Sequence, residues 1–161
     1  MKKNLLLLPL LAMVFSFLGC ESKKGSGESP EAMVKAADEL DKKFAEAFSK
    51  GDLNGLMDTY WNSAEMVSYS PDAPNAANYE QSKAGMAQMF AGMKGAKLEI
   101  HDASNRVEGE VVLGHGNWTI TLADSAGTKI NGRFTDVKAK KDGKWVYIMD
   151  HASVPLPPPT K

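Results

Sequence analysis

The sequence predicts an α+β domain in which helices come first and pack on a curved antiparallel sheet. Apolar residues recur at helical spacing up to residue 93 and at every second position from residue 96 onward. The segments of the second kind are joined by short turns rich in Gly and Asp. Because short linkers place each strand antiparallel beside the previous one, helices followed by such a meander predict a layer of helices on one sheet.

The N-terminal segment reads as an export signal. Residues 1–4 are basic, residues 5–18 are almost wholly apolar, and Gly19-Cys20 is followed by a polar stretch. The segment resembles a bacterial lipoprotein signal, which implies removal of residues 1–19, lipidation of Cys20 and anchoring on the periplasmic side of the inner or outer membrane. An ordinary cleaved signal peptide is the alternative. Residues 20–29 are rich in Gly, Ser, Lys and Glu, and predict a flexible tether.

Two helices are predicted directly after the tether. Ser29 and Pro30 suit the N-cap and first helical position, and Gly51 suits the C-terminal cap. Between them an apolar stripe recurs at helical spacing: Met33, Ala37, Leu40, Phe44, Ala47 and Phe48. Asp52 can cap a second, shorter helix.

The remaining elements follow from changes in period. Residues 65–70 predict a short strand, residues 71–78 a loop, and residues 79–93 a third helix with methionines at helical spacing. Four long strands are predicted after that, over residues 97–106, 110–122, 128–140 and 144–154. The domain therefore spans residues 30–155, and residues 156–161 form a Pro-rich tail that cannot extend the sheet.

The order of these elements resembles the nuclear transport factor 2-like superfamily, which includes ketosteroid isomerase and SnoaL-like cyclases. The local match lies in the last hairpin, in Phe134-Thr135-Asp136-Val137, Asp142-Gly143-Lys144-Trp145 and Asp150-His151-Ala152-Ser153. The resemblance implies a cone-shaped roll: three N-terminal helices packed on a curved antiparallel sheet that ends in a four-strand meander, with a pocket inside. Members differ widely in activity, so the resemblance implies a fold rather than a reaction.

Two carboxylates fall on the apolar face of the predicted sheet. Asp136 and Asp150 share the even-numbered parity of the apolar residues, and the resemblance turns this face toward the pocket. Burial raises the pKa of a carboxyl group, and two neighbouring carboxyls titrate apart, which yields one proton acceptor and one donor. Asp136 and Asp150 are therefore the candidate catalytic pair. The alternative is that either carboxylate caps a backbone group or pairs with an arginine or lysine.

The same parity supplies candidate ligand-binding residues. Trp118, Phe134 and Ile148 are expected to form apolar walls of the pocket. Asp102 joins them unless a bulge intervenes, and Tyr69 joins them from the short strand.

The odd-numbered face of the predicted sheet carries the residues that bear on metal binding and on dimerisation. His101, His115 and His151 lie on it, but on strands that do not bring three rings to one ion, so neither a metal site nor any cofactor is predicted. Trp145, Tyr147 and Met149 also fall there, and this apolarity predicts a homodimer through the sheet, unless they are scattered surface residues. No basic stripe indicates nucleic-acid binding.

Two functions are consistent with this sequence. One is an exported lipoprotein whose domain binds a small hydrophobic ligand in the pocket. The alternative is a cofactor-independent isomerase, cyclase or dehydratase that uses Asp136 and Asp150 as acid and base.

Overall fold

The computed structural model describes residues 27–156, which form an α+β domain of a few helices on a curved five-stranded sheet. The elements in chain order are α1 (Pro30–Lys50), α2 (Leu53–Met57), β1 (Val67–Tyr69), α3 (Tyr79–Gly92), β2 (Lys97–Glu108), β3 (Val111–Thr121), β4 (Lys129–Lys141) and β5 (Lys144–Ser153). The predicted signal peptide, Cys20, and parts of the predicted tether and tail lie outside the described residues. Within residues 27–156, no helix is long and apolar enough to cross a membrane.

Capping residues set the helix boundaries where the sequence predicts them. The Ser29 side chain accepts a hydrogen bond from the Ala32 amide at 3.2 Å, and Pro30 begins α1. Gly51 ends α1 in the left-handed conformation, with φ of 67°, which a residue with a Cβ rarely adopts. Asp52 then caps α2 by accepting a hydrogen bond from a backbone amide at 2.9 Å.

The sheet is mixed rather than wholly antiparallel. Its strand order is β1-β5-β4-β3-β2, so the four long strands form the expected meander and β1 adds a fifth strand at the β5 edge. β1 runs parallel to β5, with Ser68 opposite Asp150. The expectation of a purely antiparallel sheet is wrong for β1 because its direction is not set by a short turn. It is connected to the meander through α3, which leads from one edge of the sheet to the other.

Two irregularities change the side-chain alternation. β2 bulges between His101 and Ser104 where it pairs with β3. β5 carries an extra residue between Tyr147 and Met149 where it pairs with β4. Because side chains alternate along a strand, an extra residue reverses the parity beyond it. The inner face of β5 therefore contains Tyr147 before the irregularity and Asp150 after it.

Trp145 and Tyr147, expected on the outer face, point into the core instead. Trp145 packs against the small cluster of Met33, Ala37 and Val112 under α1. Tyr147 is 5% exposed and belongs to the main core. Of the three apolar residues that predicted a dimer, only Met149 is on the outer face, and its exposed fraction is 43%.

The apolar stripe of α1 faces the inner side of the sheet and forms the core with it. α2 and the segment before β1 close this core at one end. The buried members of the main cluster are Leu40, Ala47, Phe48, Leu56, Met57, Tyr60, Met66, Ala96, Leu98, Trp118, Ile120 and Tyr147.

Candidate functional site

A cavity of about 120 Å³ lies between α1, α3 and the inner face of the sheet. The end of β1 also lines it, and there Tyr69 is 39% exposed. A cavity of about 150 Å³ with apolar walls can hold a molecule such as benzene. The space therefore suits a compound of about one ring. Its apolar walls are Phe44, Phe48, Met86, Met89, Leu98, Ile100, Trp118, Ile120 and Phe134.

Glycines opposite the aromatic residues of β3 and β4 make room for their rings. Gly116 pairs with Phe134, and Gly132 pairs with Trp118, two positions apart in the β3–β4 ladder. A Cβ on Gly116 would lie 2.8 Å from the Phe134 ring, and a Cβ on Gly132 would lie 2.1 Å from the indole. Only glycine permits these rings to extend over the neighbouring strand, so the backbone itself shapes this wall of the cavity.

A buried lysine joins α1 to the sheet beside the cavity. Lys138 is wholly buried, and its Nζ lies 2.8 Å from Asp136 Oδ1 and 3.0 Å from Asp41 Oδ1. The same ammonium donates to Asn105 Oδ1 at 2.8 Å. Gly114 leaves space for the group, since a Cβ there would lie 2.4 Å from Asp136 Oδ1. Buried charges are tolerated only when they are paired and hydrogen-bonded, and these contacts meet that requirement for the ammonium.

Two tyrosine hydroxyls donate hydrogen bonds to carboxylates of the cavity wall. Tyr60 donates to Asp150 Oδ2 at 2.7 Å, and Tyr147 donates to Asp41 Oδ1 at 2.5 Å. A parallel bridge between the backbones of Tyr60 and Tyr147 places both rings in the cavity wall. Burial, together with the adjacent carboxylate, raises the pKa of each hydroxyl well above its ordinary value. Both therefore stay protonated and act as donors.

Two carboxyl groups in the cavity wall, those of Asp136 and Asp150, have a raised pKa. Burial raises the pKa of Asp136 to about 7, against the attraction of Lys138 and with added repulsion from Asp41 and Asp150. Burial also raises the pKa of Asp150, although the hydrogen bond from Tyr60 and the charge of Lys138 oppose this. A carboxyl group with a pKa near 7 can give or take a proton at neutral pH.

The sequence profile of the SnoaL-like domain matches residues 38–157 of the chain. The chain belongs to the SnoaL-like family. This confirms the resemblance to the nuclear transport factor 2-like superfamily. No functionally curated protein matches this SnoaL-like chain in sequence.

Solved structures share the fold of the SnoaL-like domain. A Streptomyces avermitilis protein whose name suggests a dehydratase of the NTF2-like family is 18% identical, with a TM-score of 0.72 over 80% of this chain and 100% of that chain. A Pseudomonas putida KT2440 NTF2-like protein is 18% identical, with a TM-score of 0.69 over 79% and 89%. A Xanthomonas campestris protein named for a calcium/calmodulin-dependent protein kinase II association domain is 24% identical, with a TM-score of 0.63 over 81% and 91%. At these identities the likeness shows the fold alone.

Five of the residues predicted for the pocket do line the cavity of this SnoaL-like domain. Asp136 and Asp150 are direct cross-strand partners on β4 and β5, which explains how the charge of Asp150 helps to raise the pKa of Asp136. Trp118, Phe134 and Tyr69 complete the five, the last at the more exposed end. The sheet therefore brings the candidate acid–base pair and three candidate wall residues together.

Ile148 and Asp102 do not line the cavity, and both departures come from strand irregularities. Ile148 is the extra residue of β5, so it is not part of the inner face that Tyr147 and Asp150 share. Asp102 lies in the β2 bulge with φ of 53°, and its side chain is 74% exposed. Its carboxylate contacts His101 and Asn117 at the surface instead. Within residues 27–156, no three His, Cys, Asp or Glu side chains are grouped to hold a metal ion.

Sequence reasoning missed four polar residues of the site, although two of them had a usable signal. Lys138 shares the parity of Asp136, two positions along β4, so the alternation that predicts a buried Asp136 also predicts a buried Lys138. Asp41 follows the buried positions of α1 at helical spacing. Tyr60 lies four positions after Leu56, a spacing that indicates the apolar stripe of the second helix and hence the core rather than a polar site, whereas Tyr147 precedes the irregularity in β5 and has the parity of the outer face.

Proposed function

We propose that the domain binds a small hydrophobic ligand in the cavity. The observation that carries the proposal is a mainly apolar space of about 120 Å³ with two carboxyl groups of raised pKa in its wall. Aromatic and thioether walls favour an apolar body, because each buried methylene contributes about 0.8 kcal/mol. A few polar groups among such walls orient a ligand and give specificity.

The test is a thermal-shift screen of one-ring compounds, followed by calorimetry of the hits. Ala152 lines the cavity, so Ala152→Trp fills the space and should weaken binding at least tenfold. The matched control Ala87→Trp adds the same bulk at an exposed position of α3 and should leave binding unchanged. Hits that bind Ala152→Trp as tightly as the unaltered chain would show that the cavity is not the binding site.

The alternative function is acid–base chemistry without a cofactor, of the isomerase, cyclase or dehydratase kind. It is favoured by one specific observation: Asp136 and Asp150 are cross-strand partners, and the pKa of Asp136 is about 7. One carboxylate would abstract a proton next to a carbonyl group, while the other, protonated, would donate a hydrogen bond to the carbonyl oxygen.

This alternative is tested by proton exchange at the methyl group of acetophenone in D₂O, followed by NMR. Catalysis predicts exchange above the buffer rate that falls at least a hundredfold in Asp136→Asn or Asp150→Asn. Asp102→Asn is the matched control, because Asp102 is exposed outside the cavity and asparagine tolerates its positive φ. Binding of acetophenone without exchange would remove the enzymatic function and leave the binding function in place.

We also propose that the chain is exported and anchored to the bacterial cell envelope through lipidated Cys20. The support is the basic start, the apolar segment over residues 5–18 and the Gly19-Cys20 junction. In bacteria fed radiolabelled palmitate, the chain should carry label and sediment with membranes, and Cys20→Ser should abolish both. Adding Ser22→Cys to that variant moves the thiol by two residues and should not restore labelling. Label on the Cys20→Ser chain would contradict the proposal.

A homodimer through the outer face of the sheet is a further part of the proposal, now supported by the exposed Met149 alone. Sedimentation at micromolar concentration should give twice the mass of one chain, and Met149→Glu should give one. A single-chain mass for the unaltered protein would contradict the dimer.

A further inference from the structure

The cavity has more acceptors and negative charge than its own donors match, and this defines a ligand class. We infer that it selects ligands carrying a positively charged amine on a small apolar body. The inference rests on the proposed ligand-binding function, and it specifies the polar group that the ligand presents.

The charged groups that line the cavity do not balance. Three carboxyl groups, Asp41, Asp136 and Asp150, line the cavity, and one ammonium, that of Lys138, contacts the first two of them. With all four ionised, three negative charges and one positive charge leave a formal charge of −2. A net charge in an apolar surrounding is costly, and one bound cation would reduce the formal charge from −2 to −1.

Carboxylate oxygens in the cavity wall can accept further hydrogen bonds. Asp136 Oδ1 lies 2.8 Å from the Lys138 ammonium, yet among residues 27–156 it receives no hydrogen bond of acceptable angle, and the side chain is 1% exposed. Tyr60 donates to Asp150 at Oδ2, which leaves Oδ1 free of that contact. An alkylammonium group carries three N–H donors and could serve oxygens of both carboxylates, which are cross-strand partners.

Aromatic rings line the cavity beside the carboxylates. The rings of Phe44, Trp118 and Phe134 line the same cavity as the carboxylates. Aromatic faces attract cations, by about 0.5–2 kcal/mol per favourable contact, and they also bury the apolar part of the ligand. A carboxylate ligand would meet repulsion from Asp150, and the ring faces would not attract its negative charge.

The sign of the pH dependence separates an amine from a neutral ligand. An amine stabilises the ionised carboxylates, so its affinity should rise as Asp136 deprotonates around its pKa of about 7. A carbonyl compound needs a protonated carboxyl as donor, so its affinity should fall over the same range. The groups that influence Asp150 are the Tyr60 hydroxyl, Lys138, His151 and Asp41.

The experiment compares three probes with the same ring: benzylamine, benzyl alcohol and benzoate. Each is titrated by calorimetry into the full chain in a non-ionic detergent at pH 8.0 and pH 5.5, with protein-free micelles as the blank. Benzylamine should bind at least tenfold more tightly than benzyl alcohol at pH 8.0, with benzoate the weakest. Its advantage should shrink at least threefold at pH 5.5, with protons released on binding.

Variants locate the effect. Asp150→Asn keeps the shape of the side chain and an acceptor for Tyr60, and it should lower benzylamine affinity at least tenfold while changing benzyl alcohol affinity less than threefold. Asp136→Asn carries the same test if the first variant does not fold. The control Asp102→Asn should leave all three affinities unchanged, since that carboxylate lies outside the cavity.

The outcomes distinguish the two levels of the argument. Benzyl alcohol binding as tightly as benzylamine, and losing affinity in Ala152→Trp, would overturn the preference for amines and leave the ligand-binding function intact. Failure of every probe to show binding sensitive to Ala152→Trp would overturn both.

Discussion

The raised pKa of Asp136 makes the stability of the folded protein depend on pH in a direction unusual for an aspartate. An ordinary aspartate has a pKa near 3.8, and burial raises that of Asp136 to about 7 in the folded state. Between these values the folded state binds a proton that the unfolded chain does not. The free energy of unfolding therefore falls as pH rises from 4 toward 8. With 1.36 kcal/mol for each pKa unit, the shift corresponds to about 4 kcal/mol.

Other groups titrate as well, so the contribution is measured as a difference. Urea unfolding of the unaltered chain and of Asp136→Asn is followed by tryptophan fluorescence at pH 4, 5, 6, 7 and 8. The asparagine does not titrate, and the free energy of the unaltered chain relative to the variant should fall by about 4 kcal/mol across this range. A difference that stays constant, or that rises with pH as for a salt-bridged aspartate, would refute the assignment of a buried, raised carboxyl group.

Three further perturbations test the contacts around the cavity. Gly132→Ala places a Cβ 2.1 Å from the Trp118 indole across the strand pair and should lower the free energy of unfolding by about 1–3 kcal/mol in urea denaturation. The control Gly85→Ala, in open space on α3, should raise the free energy of unfolding by about 0.5–1 kcal/mol. Equal effects of the two substitutions would contradict the close packing at Gly132. Lys138→Met leaves two buried carboxylates without their cation and should cost about 3–5 kcal/mol at pH 8 and less at pH 5, so a loss independent of pH would count against the ion cluster. Tyr60→Phe removes the donor to Asp150 and should raise the pKa of that carboxyl group in a carbon-13 NMR titration; an unchanged midpoint would show that the bond does not stabilise the charged form.

Alternation along the strands predicted the cavity wall wherever strand pairing is regular. Trp118, Phe134 and Asp136 lie in the unbroken β3–β4 ladder, so a period of two placed all three on the inner face. Asp102 and Ile148 lie at irregularities in β2 and β5, where one extra residue reverses the alternation. No glycine or proline marks either position in the sequence. The fold was therefore predictable from local patterns, whereas these two side-chain directions depend on strand register.

The ion cluster shows a different limit of sequence reasoning. Period alone places Lys138 beside Asp136 on the inner face of β4, and places Asp41 on the buried face of α1. The 3.0 Å contact between the Lys138 ammonium and the Asp41 carboxylate depends on how α1 lies across the sheet, which periodicity does not determine. The helix contributes one carboxylate, and the strand contributes the ammonium and the other carboxylate. Such a set is recognisable only when both elements are seen together.

The ammonium of Lys138 also holds α1 against β4 on one side of the cavity. Separating α1 from β4 would take Asp41 away from the Lys138 ammonium and leave unpaired charges in apolar surroundings. We therefore expect this side of the cavity to stay closed. Across the cavity, α3 contributes the thioethers of Met86 and Met89, which slide past a guest at little cost. We expect ligands to enter and leave between α3 and the turn after Tyr69, without movement of β2 to β5.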